Sequence, residues 1–230
     1  QYPGALGGNA DVNFTSTLNW DGGFMQAGGK TVVTNGAVLT MNTGNNHRYL
    51  RRNFDLRGNG TFNYGGYYLF GGNGAVFTIY SGATFDLSNN AQLAYEVVGN
   101  SQYAILQNNG TLRKTTGSNT ANIGWTVNNN ASVQTQAGVL SLDHGGVAAG
   151  NYDAAGATAI LNFGGGTHSV TNGASFSASG GGYFRCDGAT LSIDVPFAIN
   201  PMFLLQYPGA LGGNADVNFT STLNWDGGFM

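Results

Sequence analysis

The sequence predicts an all-β fold, a parallel β-solenoid of about nine coils of ~22 residues in each 205-residue period. Three observations carry this expectation. The opening 25 residues, QYPGALGGNADVNFTSTLNWDGGFM, return letter for letter at 206–230. Two unrelated stretches of one domain do not converge on such a string. Residues 1–205 therefore read as one period of a tandem array, and residues 206–230 as the start of the next identical period. The second observation is a succession of short apolar/polar alternations, the pattern of strands with one buried face. The third is the spacing of Leu18, Leu39, Phe62 and Phe85, separated by 21, 23 and 23 residues and continued by Leu112 and Val133.

Taken in order, the alternating runs are Thr17–Trp20, Val38–Met41, Thr61–Tyr64, Val76–Ile79, Thr84–Leu87, Val139–Leu142, Ile160–Phe163 and Thr190–Ile193. Each supplies two or three inward positions. Gly-Ala pairs at Gly36, Gly74, Gly82, Gly156, Gly173 and Gly188 lead into strands, as do Gly60-Thr61 and Gly110-Thr111. Glycine tolerates the positive φ that tight corners demand. Asn-Gly pairs at Asn35, Asn59, Asn73, Asn109 and Asn172 supply further left-handed positions. Asn-Gly between apolar runs is also a hairpin signal. An antiparallel hairpin array is thus the competing fold, but hairpins would recur every ~8–12 residues. The segment 194–213 fits the coil pattern least. It carries Pro196, Pro201 and Pro208, and is expected as an irregular junction between periods.

Composition agrees with a stacked, charge-poor body. Charged residues are 8% of the chain, against ~25% in ordinary globular proteins. Glycine contributes 39 residues and asparagine 28, yet 41% of the chain is hydrophobic, too much for a disordered segment. A net charge of −3 leaves no basic stripe for nucleic acid. No run of 18 apolar residues predicts a membrane span in this segment. Cys186, the one cysteine, reads as a small buried hydrophobe.

The stretch NNGTLRKTTGSNTANIGWTVNNNASVQTQAGVLSLDHGG (Asn108–Gly146), with ILNFGGGTHSV (Ile160–Val170) and TLNWDGGFMQAGGKTVVTNGAVLTM (Thr17–Met41), resembles β-strand-repeat surface proteins of environmental bacteria. The similarity covers most of residues 9–195. It implies a right-handed parallel β-helix, related in architecture to autotransporter passenger domains and filamentous adhesins, at an extracellular or cell-surface location. Such a repeat signature implies architecture rather than activity.

Sites for chemistry are sparse. Arg48, Arg51, Arg52 and Arg57 hold four of the eight cations within HRYLRRNFDLRG, a candidate lateral anion-binding loop for which a solvated lateral loop is the preferred reading. Asp55 and Arg57, two apart on a strand, share a face near His47. They form the best catalytic candidate, although a structural ion pair is the preferred reading and no catalytic residue is assigned. Asp187 reads as a turn residue before Gly188. Gly7–Asp11 echoes a calcium-binding glycine–aspartate repeat without recurring at nine-residue spacing, and reads as a glycine turn. His47, His144 and His168 lack metal-ligand spacing, so no metal is expected. The clusters Gly164–Gly166 and Gly180–Gly182 precede no helix and are read as corners, not phosphate cradles, so no cofactor is expected. Tyr64, Tyr67, Tyr68, Phe70 and Tyr80 are expected mostly as stacked core rather than as a sugar-binding strip. The expected partners are identical copies stacked end to end, with cell-surface glycans as the alternative. Function follows as a structural unit of an extracellular fibre, stalk or filament; an adhesin is the alternative, and a polysaccharide-degrading β-helix enzyme a remote one.

Overall fold

The computed structural model describes residues 4–42, 44, 46–97 and 102–230, and every regular element among them is a β-strand. The strands follow one another in threes. The first of each three joins an 11-stranded sheet running from Ala5–Leu6 through Gly23–Met25 and Arg48–Leu50 to Leu223–Asp226. The second joins a ten-stranded sheet from Val12–Phe14 to Ala210–Gly212. The third joins an eight-stranded sheet from Thr17–Asn19 to Ser175–Ser177. Successive strands of a sheet are parallel throughout, for example Leu112 beside Val133 and Leu140 beside Leu161. The chain is a β-solenoid of about ten turns with three faces. Hairpins are excluded as its organising unit.

Alternation sets the interior. In Thr84–Ser88, Phe85 and Leu87 are fully buried while Thr84, Asp86 and Ser88 are only partly covered. The inward side chains of all three faces meet in one continuous core. Phe77 stacks on Phe54 there at 4.8 Å between ring centroids and meets Phe85 at a tilt, 5.0 Å away. Trp125 fills the interior beside Gly71, where an added Cβ would lie 2.6 Å from the indole. Its Nε1 donates to the Ala94 carbonyl at 2.8 Å.

The expected leucine–phenylalanine column holds at Leu18–Leu39 and at Phe85–Leu112–Val133 but slips by one inward position between them. Gly60, not Phe62, stands between Leu39 and Phe85, and Phe62 stacks between Met41 and Leu87. Space explains the change. A Cβ on Gly60 would meet Phe85, Leu56 and Leu39 at 3.0–3.3 Å. Corners use glycine for two reasons. Gly82 turns with φ 83°. At Gly188 the cause is contact, since a Cβ would lie 2.2 Å from the Gly164 carbonyl oxygen.

Residues 194–213 are not an irregular excursion. Phe203–Gln206 pairs with Tyr183–Cys186, and Ala210–Gly212 with Ala189–Ile193, so the winding continues past residue 205. Pro201 and Pro208 fall in the turns and interrupt no strand. One departure is real. The third face's ladder stops at Ser175–Ser177 and restarts as a two-stranded sheet of Phe197–Ile199 and Val217–Phe219.

Candidate functional site

The four arginines do not form one lateral surface. Arg48 opens a first-face strand in which Tyr49 faces outward, and Arg48 itself is 1% exposed. Its Nε donates to the Trp20 carbonyl at 2.6 Å, a second guanidinium nitrogen donates to the Asn42 carbonyl, and the Phe62 ring lies 5.4 Å away. Burial pushes this guanidinium below its ordinary pKa. Arg52 is 3% exposed and donates to the Ala10 carbonyl at 3.0 Å; burial lowers its pKa as well. Both side chains reach carbonyls of an earlier coil. They are internal staples, and the expectation of a solvated binding loop is corrected for these two.

Arg51 and Arg57 do lie on the outside, on different faces. Arg51 forms a bidentate pair with Glu96 (2.8 and 2.5 Å) and lies 4.6 Å over the Phe24 ring. Its hydrogen bond to Glu96 raises the guanidinium pKa. Arg57 donates to Asp55 Oδ2 at 3.2 Å and covers the Tyr80 ring at 4.6 Å.

Asp55 sits on the second face, itself 3% exposed. Its Oδ2 accepts from Arg57, from Lys30 Nζ and from the Tyr80 hydroxyl, each at 3.2 Å. His47 is elsewhere, at the corner before the first face. There it stacks on Tyr68 at 5.4 Å and accepts the Tyr68 amide on Nδ1. The structure therefore separates His47 from the Asp55–Arg57 pair. The pair is the centre of a cation–carboxylate–phenol cluster bridging three coils, as the structural reading expects.

The aromatic stretch is also placed differently from expectation. All five are half-buried: Tyr64 packs against the core as expected, Tyr67, Tyr68, Phe70 and Tyr80 lie outside it, and Phe62 and Phe77 are the fully inward rings. Phe24, Tyr49 and Phe70 form an outward ladder with centroids 4.4 and 5.4 Å apart and planes within 19° of parallel. Rings stacked on one another leave edges, not faces, for a sugar. Asp11, in the glycine–aspartate turn, accepts the Lys30 amide at 2.8 Å and so ties one corner to the next.

A polar cluster on the first face was not anticipated from the sequence. Ser141, Asn162 and Arg185 are register neighbours on successive coils. Asn162 Nδ2 donates to Ser141 Oγ and to Asp187 Oδ1, both at 2.9 Å, and Arg185 Nε donates to Asn162 Oδ1 at 2.9 Å and pairs with Asp187 at 3.0 Å. Ser141 Oγ also donates to Asp143 at 2.5 Å. Burial, helped by the Asp187 charge, raises the Asp143 carboxyl pKa, while the Ser141 hydroxyl opposes the shift. Asp187 thus belongs to a network rather than to a bare turn. The outward alternation of Ser141, Asn162 and Arg185 was visible in the sequence, but their register was not. A shallow depression of about 460 Å³ adjoins Asp143, lined by Tyr95, Tyr103 and His144. Its three rings stack at 3.9 and 3.5 Å, again face against face. Burial lowers the His144 pKa.

Among the described residues no group of three or more His, Cys, Asp or Glu side chains is placed to hold a metal ion. Cys186 is buried in the core, and burial raises its thiol pKa to about 11, as for a small apolar side chain. The chain matches no protein-family model, no curated protein and no solved structure.

Proposed function

We propose that the chain is a structural building unit of an extracellular fibre, stalk or filament, in which copies of the 205-residue period stack end to end as one solenoid. The observation that supports this reading is the repeated 25-residue segment together with how it is wound. Its second occurrence is laid onto the preceding coil by parallel pairings on all three faces, with Leu191 beside Leu211, Phe197 beside Val217 and Phe203 beside Leu223. Hydrogen bonds between coils run along the axis, so the coil at residues 189–206 offers the next one backbone partners on all three faces. Identical copies are the partner this surface fits, and open strand edges would otherwise template uncontrolled pairing.

The adhesin alternative draws no support from the arginine stretch, where Arg48 and Arg52 are buried and Arg51 and Arg57 already hold carboxylates. The enzyme alternative draws none from Asp55, whose Oδ2 holds three donors.

The test is to append residues 26–230 once, twice and three times to the chain and to image the products. With strands ~4.7–4.9 Å apart along the axis, each added period lengthens the rod by about 45 Å. Products that remain the length of the single chain, or fold as separate beads, would overturn the reading.

A further inference from the structure

The two occurrences of the 25-residue segment lie on different faces. Ala5 belongs to the first strand, on the first face, whereas the identical Ala210 belongs to the 29th strand, on the second face. Val12–Phe14 lies on the second face and Val217–Phe219 on the third. Leu18 lies on the third face and Leu223 on the first. In each case the step is 28 strands among the described residues, and with three strands per turn 28 leaves one strand over. One pairing inside the segment is kept. Ala5 stands beside Phe24, and Ala210 stands beside Phe229. The corner is kept as well, with φ 104° at Gly8 and 114° at Gly213.

We infer that the joint between successive copies is the surface formed by residues 189–206, and that the next copy leaves this joint turned by one third of a turn about the axis. The inference rests on the fibre reading for its partner, a further copy of this chain. The face change itself is a property of the winding within the chain. Three physical facts make it workable. Each strand offers only two or three inward positions, so it fits any face that provides an apolar floor. Parallel ladders specify the neighbour above and below, not the side of the rod. The junction coil also supplies apolar inward residues on every face: Leu191 and Ile193 on the second, Phe197 and Ile199 on the third, and Phe203 and Leu205 on the first are all buried. A lateral feature such as the Arg51–Glu96 pair or the Asp55 cluster would then appear on each of the three sides in turn. It would return to its own side after three copies, about 135 Å along the axis at the ~4.8 Å strand spacing. Every side of the fibre thus presents every lateral surface.

The face assignment can be tested on the chain as it stands. Leu204 and Asn224 are register neighbours on the first face, with outward side chains. If the second occurrence instead kept the faces of the first, Asn224 would lie on the third face beside Ala198, which is exposed there and pairs with Asn218. Neighbouring parallel strands bring Cα atoms within disulfide range. Under mild oxidation the Leu204→Cys/Asn224→Cys pair is expected to close about tenfold faster than Ala198→Cys/Asn224→Cys, with Ala198→Cys/Asn218→Cys as the positive control. Preferential closure of 198 with 224, or closure of neither pair while the control closes, would overturn the inference. Should a pair prevent folding, hydrogen exchange on the unmodified chain decides instead. Amides of Leu223–Asp226 protected together with Phe203–Gln206 support the first-face position, and unprotected amides there overturn it. Rods that fail to lengthen on addition of periods would overturn the fibre reading without touching this result. Rods that lengthen while 198 joins 224 would overturn the turn alone.

Discussion

Gly60 occupies the inward position where a leucine or phenylalanine was expected, and the reason is its neighbour above. The Phe85 ring reaches to 3.0 Å from where a Gly60 Cβ would stand. Counting like residues at ~22-residue intervals cannot see this, because a glycine carries no hydrophobic signal and the column reads as continuing through Phe62. Gly60→Ala is expected to lower stability by about 1–3 kcal/mol through overpacking, read as a drop in the urea midpoint at constant slope. Lys114 is the opposite case. The alternation Leu112–Lys114 already places it on the inward side, and the structure buries it there, with Nζ donating to the carbonyls of Thr116 and Gly117 at 2.6 and 2.7 Å. Burial pulls its pKa from the ordinary 10.5 down to about 8. The unfolded chain holds this proton to higher pH than the folded one, so between about pH 8 and pH 10.5 this group makes stability rise with pH. Cys186, raised from 9.0 to about 11, acts in the opposite sense above pH 9, as does buried Tyr152 above pH 10. The difference between wild type and Lys114→Met isolates the lysine. In denaturation series at pH 7.5 to 10, that difference should change in wild type's favour as pH rises across the window; a difference independent of pH would contradict it.

At the scale of strands and corners, the sequence made the strands legible but not the chemistry of the bends. Asn109-Gly110 was visible as a turn signal, yet the residue that organises the bend is Asn108. It follows Leu106 on the inward side and is fully buried. Its Nδ2 donates to Asn129 Oδ1 at 2.7 Å and to the Ser132 carbonyl at 2.8 Å, while its Oδ1 accepts the Gly110 amide at 3.2 Å. Asn129 repeats the arrangement one coil on, accepting the Ala131 amide and donating to the Asn151 carbonyl. Asn130 and Asn109 form an outward pair beside it, also hydrogen-bonded, at 2.9 Å. Burial decides the relative value of the two ladders. Asn108→Ala leaves a buried amide and a buried carboxamide short of partners and should cost about 1–3 kcal/mol. Asn130→Ala removes a solvent-exposed contact and should fall within about 0.5 kcal/mol of wild type. Equal losses in matched thermal or urea denaturation would show that the inward ladder has no special standing. Sequence alone could not rank these asparagines, because alternation names a side only once the strand's start is fixed, and the corners shift that start from coil to coil.

For the whole molecule, the parallel solenoid and the approximate number of turns were readable because both depend on averages, namely alternation and mean spacing. The faces were not. Register partners lie 21 residues apart from Leu18 to Leu39 but 27 apart from Phe85 to Leu112 and 19 apart from Val133 to Tyr152. Such unequal laps blur any fixed period, and only the strand count reveals that a period ends on a new side. The same unevenness hid the burial of Arg48 and Arg52, since a cluster of cations reads as solvated unless the corner that swallows it is known. The interruption of the third face between Ser177 and Phe197 has a mechanical meaning. At that cross-section two ladders instead of three carry axial load, with the edge-on contact of Phe176 and Phe197 at 5.0 Å across the gap. Tension along the rod is therefore shared there by the first two faces alone, through the pairing of Ile160–Phe163 with Tyr183–Cys186 and of Gly166–Val170 with Ala189–Ile193.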